Sequence, residues 1–171
     1  MYIYNTIKIK NMKSKLLKPL TGVFILLLTI SCKVEPQSIE YGKDQCSFCK
    51  MNVVDKTHAS QYVTSKGKQF KFDAIECMMN YLNRNDLSSD EMAFLLITNY
   101  NQPGELIDAK KAIYIHSEAI PSPMGAFISG VDNTDSAKQI VEVKGGSYFQ
   151  WDELKERYKV ALVTGVPNFN T

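Results

Sequence analysis

The sequence is short of the groups that enzymes use to move protons. Its 171 residues include two histidines, His58 and His116. No Ser/His/Asp set, paired acids or phosphate loop accompanies them, so hydrolytic and phosphoryl-transfer chemistry has no support and no enzymatic activity is expected. Long apolar runs are also missing. The longest, Leu20 to Ile30, has 11 residues, where a membrane-spanning helix needs about 20. Cysteine is sparse, at four residues. No second Cys-x-x-Cys follows Cys46-x-x-Cys49, so a complete Cys₄ zinc site is excluded. Lys50, not His, follows the second Cys, which excludes c-type haem attachment.

Positive charge is deficient as well, once the N-terminus is set aside. Lys8, Lys10, Lys13, Lys15 and Lys18 are the only charges in residues 1–31. Beyond them stand 15 basic and 18 acidic residues, a formal charge of −3 against +2 for the whole chain. Nucleic acid is therefore not an expected partner.

What is present begins with a basic segment and the 11-residue apolar run, the pattern of a secretory signal over residues 1–31. Met12 heads a compact version of it (Met-Lys-Ser-Lys-Leu-Leu-Lys) and is an alternative start. The run ends Leu28-Thr29-Ile30-Ser31-Cys32. A small residue directly before a Cys resembles a bacterial lipobox, with Thr29 where Leu is usual. That resemblance implies cleavage before Cys32 and acylation of its sulfur. The alternatives are an ordinary signal with Cys32 unmodified, or an uncleaved anchor. Residues 32–45, polar with one Pro and one Gly, read as a tether after the anchor.

The rest, 46–171, reads as an α+β domain. Ala59–Thr64 and Lys68–Phe72 flank Ser65-Lys66-Gly67, the spacing of a β-hairpin, with Phe70 and Phe72 on one face. Asp73, with Glu76 three residues on, has the form of a capping box. A helix to Asn83 follows, with Ile75, Met78, Met79 and Leu82 as its apolar stripe and Cys77 on the opposite side. Met92–Thr98 and Ala112–His116 read as strands, 117–134 as a long irregular connection around Met124, and Asp135–Val143 as a helix capped by Asn133 or Thr134. An aromatic strand Tyr148–Trp151 then precedes a helix opened by Asp152, and 165–171 are expected to fray.

Residues 66–75 and 145–154 echo each other. Gly67 aligns with Gly146, Phe70 with Phe149, Phe72 with Trp151, Asp73 with Asp152 and Ile75 with Leu154. A duplicated unit follows: two small homologous lobes, about 46–100 and 101–171, each a short β-sheet with an Asp-capped helix. Met51 and Met124 then hold comparable places and are expected to approach each other.

Chemistry concentrates in Cys46-Ser-Phe-Cys49-Lys-Met51. Thiolates with a thioether form a soft donor set, poor for zinc and good for Cu(I). Three cysteines beside Cys32 is an odd number in a disulfide-permissive compartment, so at least one thiol is free or metal-bound. Met124, in a Pro/Gly loop, is less readily explained by packing than Met78, Met79 and Met92, which read as core. His116, ending a strand before that loop, is the better of two imidazole candidates and His58 the weaker. Cys77 stays open between inert helical core and a ligand or pairing role.

Taken in order, several features resemble the NosL family, accessory lipoproteins of nitrous oxide reductase. They are Cys32, Cys46-x-x-Cys49-x-Met51, Phe72-Asp73-x-Ile75-x-Cys77-Met78 with Tyr81-Leu82, Ser122-Pro-Met124-Gly-Ala-Phe127, Ala137 and the Gly145-Gly146 aromatic strand. The resemblance covers the chain beyond the signal. It implies a monomeric copper chaperone of two α+β lobes, anchored through Cys32 to the lipid bilayer of the bacterial envelope and facing the periplasm. It would hold one Cu(I); the donor set of this sequence points to Cys46 or Cys49 with Met51 as its holders, with Met124 and His116 as candidates to close the site. Nitrous oxide reductase and its ABC-type maturation complex would be its partners. The family commonly has Gly where this chain has Lys50. The competing expectation is a thiol-disulfide or structural lipoprotein with a Cys46–Cys49 bridge.

Overall fold

A Gly-turned hairpin opens the fold in the computed structural model, which describes residues 33–85 and 92–164. The signal, Cys32 and residues 165–171 lie outside these, as does most of the Asn83–Asp90 connector. Strands β1 (Ser60–Thr64) and β2 (Gln69–Phe72) pair antiparallel, Ser60 opposite Phe72. The turn is closed by the Gly67 amide donating to the Thr64 carbonyl at 2.8 Å, with Gly67 at φ +83°. Phe70 and Phe72 share a face as expected, since Tyr81 lies with its ring centroid 5.1 Å and 5.3 Å from theirs.

Helix α1 (Ile75–Asn85) buries the expected stripe of Ile75, Met78, Met79 and Leu82. Each such burial is worth roughly 1.5–3 kcal/mol, which outweighs the middling helix propensities around it. The capping box does not form. The Asp73 carboxylate accepts instead from the Val54 amide at 3.3 Å, and Glu76 turns into the interior toward Ser122.

Strand β3 (Met92–Thr98) lies on the other side of β1, and β4 (Leu106–Asp108) pairs with β3, giving the order β2-β1-β3-β4. The first sheet therefore runs to Asp108, past the lobe boundary expected near residue 100. The second sheet has the order β6-β5-β7, from β5 (Ile113–His116), β6 (Ile128–Val131) and β7 (Ser147–Gln150). Strand β6 falls inside the connection expected to be irregular. Helix α2 (Thr134–Lys144) starts at Asn133, whose side chain accepts from the Ser136 amide. The aromatic strand ends one residue early, because Trp151 is the first residue of helix α3 (Trp151–Thr164). Among the described residues, no helix is long and apolar enough to cross a membrane.

The echo holds at the level of elements: each sheet has a glycine turn, a short aromatic strand and a helix, β2–α1 and β7–α3. The two sheets share a core. Tyr62, Phe72, Ile75 and Ile97 of the first pack in one cluster with Tyr114, Ile128, Phe149, Leu154 and Tyr158 of the second. They approach closely at Gly130, where a Cβ would sit 2.1 Å from Ile97 Cδ1. The Ile97 side chain occupies the space that any larger residue at 130 would need.

Residues 34–45 are a strap rather than a free tether. Gln69 Nε2 donates to the Glu35 carbonyl, the Gln37 amide donates to Gln69 Oε1, and Gln61 Nε2 donates to the Gln37 carbonyl. Lys71 Nζ donates to the Ser38 carbonyl at 2.7 Å and to Asp44 at 2.6 Å. Ile39 is buried behind them. Polar side chains projecting from β1 and β2 thus fasten a segment with little apolar content of its own.

Candidate metal centre

The Cys46 loop is a tight turn. Cys46 donates its amide to the Met51 carbonyl at 2.8 Å, Lys50 donates to the Cys46 carbonyl, and Gln45 bridges Asn52 antiparallel. Lys50 closes the turn with φ +69°, the left-handed region that favours glycine. An extended backbone would aim Cys49 and Met51 to one side, and it is broken there. The Ser47 amide donates to the Lys71 carbonyl of β2, and Arg84 of α1 lies 4.9 Å from the Phe48 ring centroid. The loop is thereby fixed between the first sheet and α1.

That placement brings Cys46 and Cys49 against Cys77, which projects from the first turn of α1. The three sulfur atoms all lie within 4.8 Å of one another, and all three are free thiols, with no Cys46–Cys49 bridge. Cys46 and Cys77 are fully buried and Cys49 is partly exposed. Three thiolates held about 2.3 Å from one ion would stand about 4.0 Å apart in a trigonal plane, so the cluster has metal-binding dimensions.

The electrostatics divide the thiols into unlike roles. The Cys77 thiol hydrogen-bonds Cys46 and, with the amides of Asp73, Cys49 and Phe48, outweighs desolvation and lowers Cys46 to about 4. The Cys49 amide stands 3.5 Å from Cys46 Sγ. Cys77 is driven far upward by that same bond and by burial, and Cys49 is raised mainly by burial. These shifts favour the thiolate at Cys46 and the protonated thiol at Cys49 and Cys77. The site's position at the N-terminal end of α1 adds the favourable end of the helix dipole.

The remaining candidates take different places. Met51, 57% exposed, flanks the open side next to Cys49, whose sulfur its amide faces. Met124 is 41% exposed on a loop tied to Glu76, the residue before Cys77. His116 is not a member of the thiol cluster. It ends β5 with its ring edge-on to Phe127 at 6.5 Å, and burial lowers its pKa. His58 is a structural residue, with Nδ1 2.9 Å from Asp55 and Nε2 3.1 Å from Ser129 Oγ. Met78 and Met79 are core, as expected. Cys77 is the donor that motif reading left open. The available signal was its position off the apolar stripe; the missing part was that this other face of α1 meets the Cys46 loop.

The NosL family model matches residues 36–159. The crystal structure of the copper chaperone NosL from Shewanella denitrificans superposes with a TM-score of 0.61 at 17% identity, covering 71% of this chain and 96% of that one. No protein of curated function matches the sequence.

Proposed function

The chain belongs to the NosL family, and on that premise we propose that it is a Cu(I) chaperone whose metal is held by Cys46, Cys49 and Cys77. The observation that carries this reading is the meeting of three free sulfurs within 4.8 Å, two of them buried. A compact, soft, all-sulfur set prefers Cu(I) to the oxygen-seeking cations. With three thiols, the described site also lacks the fourth donor that structural zinc requires.

Cargo capture starts at Cys46. Its thiolate bonds the ion without giving up a proton, and the ion's charge then lowers the other two thiols, so each further Cu–S bond releases one proton. Cys49, the partly exposed thiol, is the donor that an incoming partner ligand reaches first. The Met51 and Met124 thioethers are weaker, exchangeable donors suited to the open side, where copper enters and leaves.

We assign the client as nitrous oxide reductase and its ABC-type membrane maturation complex. The location is the periplasmic face of the cell envelope, through lipidation of Cys32. Family membership supports the client and the lipobox-like Ser31-Cys32 supports the anchor. Anchoring would raise the effective concentration of chaperone near a membrane-bound partner.

Anaerobic Cu(I) titration against a chromophoric chelator tests the site. One equivalent should bind, and Cys46→Ser, Cys49→Ser and Cys77→Ser should each weaken binding by about tenfold or more. Reduced protein that binds no Cu(I) would sink the chaperone reading. Binding untouched by Cys77→Ser would place the ion elsewhere. A neighbouring gene for the reductase, and copper transfer to the purified maturation complex, would test the client.

A further inference from the structure

Glu76 is a buried carboxyl that copper capture, as described, does not use. It is 2% exposed, burial raises its pKa, and its Oε2 is buried with no hydrogen-bond partner. Such a group costs stability unless its contacts compensate. Apart from its own backbone amide and the charge of His58, the partners of its side chain lie in one loop. Ser122 Oγ donates to Oε1, and the Ala126 amide donates to the same oxygen at 3.3 Å. Ser122 Oγ in turn accepts from the Phe127 amide at 2.9 Å, and the Gly125 amide donates to the Ser122 carbonyl at 3.0 Å. Gly125 and Phe127 both take left-handed backbone, at φ +75° and +57°. For Phe127 that conformation is sterically unfavourable and must be imposed by its surroundings. One carboxyl oxygen therefore gathers a strained six-residue turn, Ser122–Phe127, that carries Met124.

The carboxyl stands one residue before Cys77 in the same helical turn. The turn belongs to the connection between β5 and β6 of the second sheet, whereas Cys46 and Cys49 are held by the first. We propose that Glu76 is a positioning residue for copper binding. It fixes the Ser122–Phe127 turn to the helix that carries Cys77, so that Met124 keeps its distance from the thiols. The proposal rests on the reading of Met124 as a copper donor given above.

The test uses the full chain in detergent, with Glu76→Leu, Glu76→Gln and Ser122→Ala, each with and without Met124→Leu. Two quantities are read: anaerobic Cu(I) affinity, and amide exchange at Gly125, Ala126 and Phe127 in the metal-free protein. Glu76→Leu should weaken Cu(I) binding about 10-fold, in the range of other outer-shell losses, and speed exchange in the turn. Glu76→Gln keeps an oxygen able to accept from both donors and should stay within about threefold of the parent. Met124→Leu should weaken binding about tenfold in the parent and in Glu76→Gln, but less than about threefold in Glu76→Leu, where the thioether is already misplaced.

An equal Met124→Leu penalty in all three backgrounds would overturn the proposal. So would unchanged exchange in Glu76→Leu, whatever the copper data say. A Met124→Leu penalty absent even from the parent would overturn the donor reading together with the proposal. Changed exchange in that case would show the clamp to be real but unconnected to copper. Ser122→Ala, which removes a single hydroxyl, repeats the comparison should Glu76→Leu fail to fold.

Discussion

Replacing Cys77 by Ala in the metal-free protein isolates the contact that most determines the charge of the site. The bond from the Cys77 thiol is the leading reason that Cys46 falls from 9.0 to about 4. A hydrogen bond to a charged group contributes about 1.5–3 kcal/mol. At about 1.4 kcal/mol per pH unit, its loss should raise the Cys46 midpoint by about 1–2 units. The amides of Asp73, Cys49 and Phe48 still face the sulfur, so the midpoint should remain well below that of a free thiol. The assay is the ultraviolet thiolate band followed through the acid range under anaerobic conditions, with Cys46→Ser as baseline. Cys77→Ser keeps a donor in place and should shift the midpoint less than Ala. If Cys77→Ala leaves the midpoint unmoved, or Ala and Ser shift it equally, the reasoning fails.

The same shifts set the pH dependence of metal-free stability. Cys46 is lower in the folded protein than in the unfolded chain. Its contribution is complete above pH 9.0 and is lost as the pH falls toward about 4. Cys49 and Cys77 are shifted upward, so their contributions hold below the ordinary thiol range and disappear as the pH rises above it. The thiol part of stability should therefore peak near the ordinary thiol pKa, and Cys46→Ser should flatten the acid side and also soften the alkaline side, because the Cys46 sulfur is the first cause of the upward shift at Cys77.

Three further outcomes follow from backbone geometry and packing. Lys50→Gly should stabilise by up to about 1 kcal/mol by relieving the left-handed residue, while Lys50→Val should destabilise by about 1–2 kcal/mol; urea midpoints that do not separate the two would contradict the strained turn. Gly130→Ala should cost about 1–3 kcal/mol through collision with Ile97 Cδ1, and adding Ile97→Val, which removes that atom, should recover part of the loss in thermal melts. Gln69→Ala removes the side chain that grips Glu35 and Gln37, and limited proteolysis should then cut within residues 35–40 before any cut in β1 or β3.

Regular elements with a period were legible in the sequence. The α1 stripe, the β1–β2 hairpin and α2 followed from spacing and turn residues, because burial selects side chains at fixed intervals. Strands β4 and β6 were not legible: β4 has only three residues, and β6, Ile-Ser-Gly-Val, is buried throughout and so shows no alternation. Gly130 reads as punctuation until Ile97 is seen to fill its place. The Asp73–Glu76 pair matched a capping box letter for letter, yet tertiary partners outbid the local ones. The strap was hidden for a related reason: its contacts are glutamine and lysine side chains on backbone carbonyls, which leave no apolar pattern. Two of the three clustered thiols were visible as Cys46-x-x-Cys49. The third thiol required knowing which loop packs on the far face of α1, and nothing in local sequence encodes that.

The strap has a mechanical consequence. Tension applied to the chain at Val34 does not load the β1–β2 ladder directly. It meets the Gln69 contacts at Glu35 and Gln37 first, then Gln61 at Gln37 and Lys71 at Ser38. These bonds break one after another rather than together, which is peeling, the low-force mode of failure. Four residues released this way lengthen the chain by at most about 14 Å. The fold thus carries a short extensible leader whose slack is spent before any pull reaches the turn that holds Cys46.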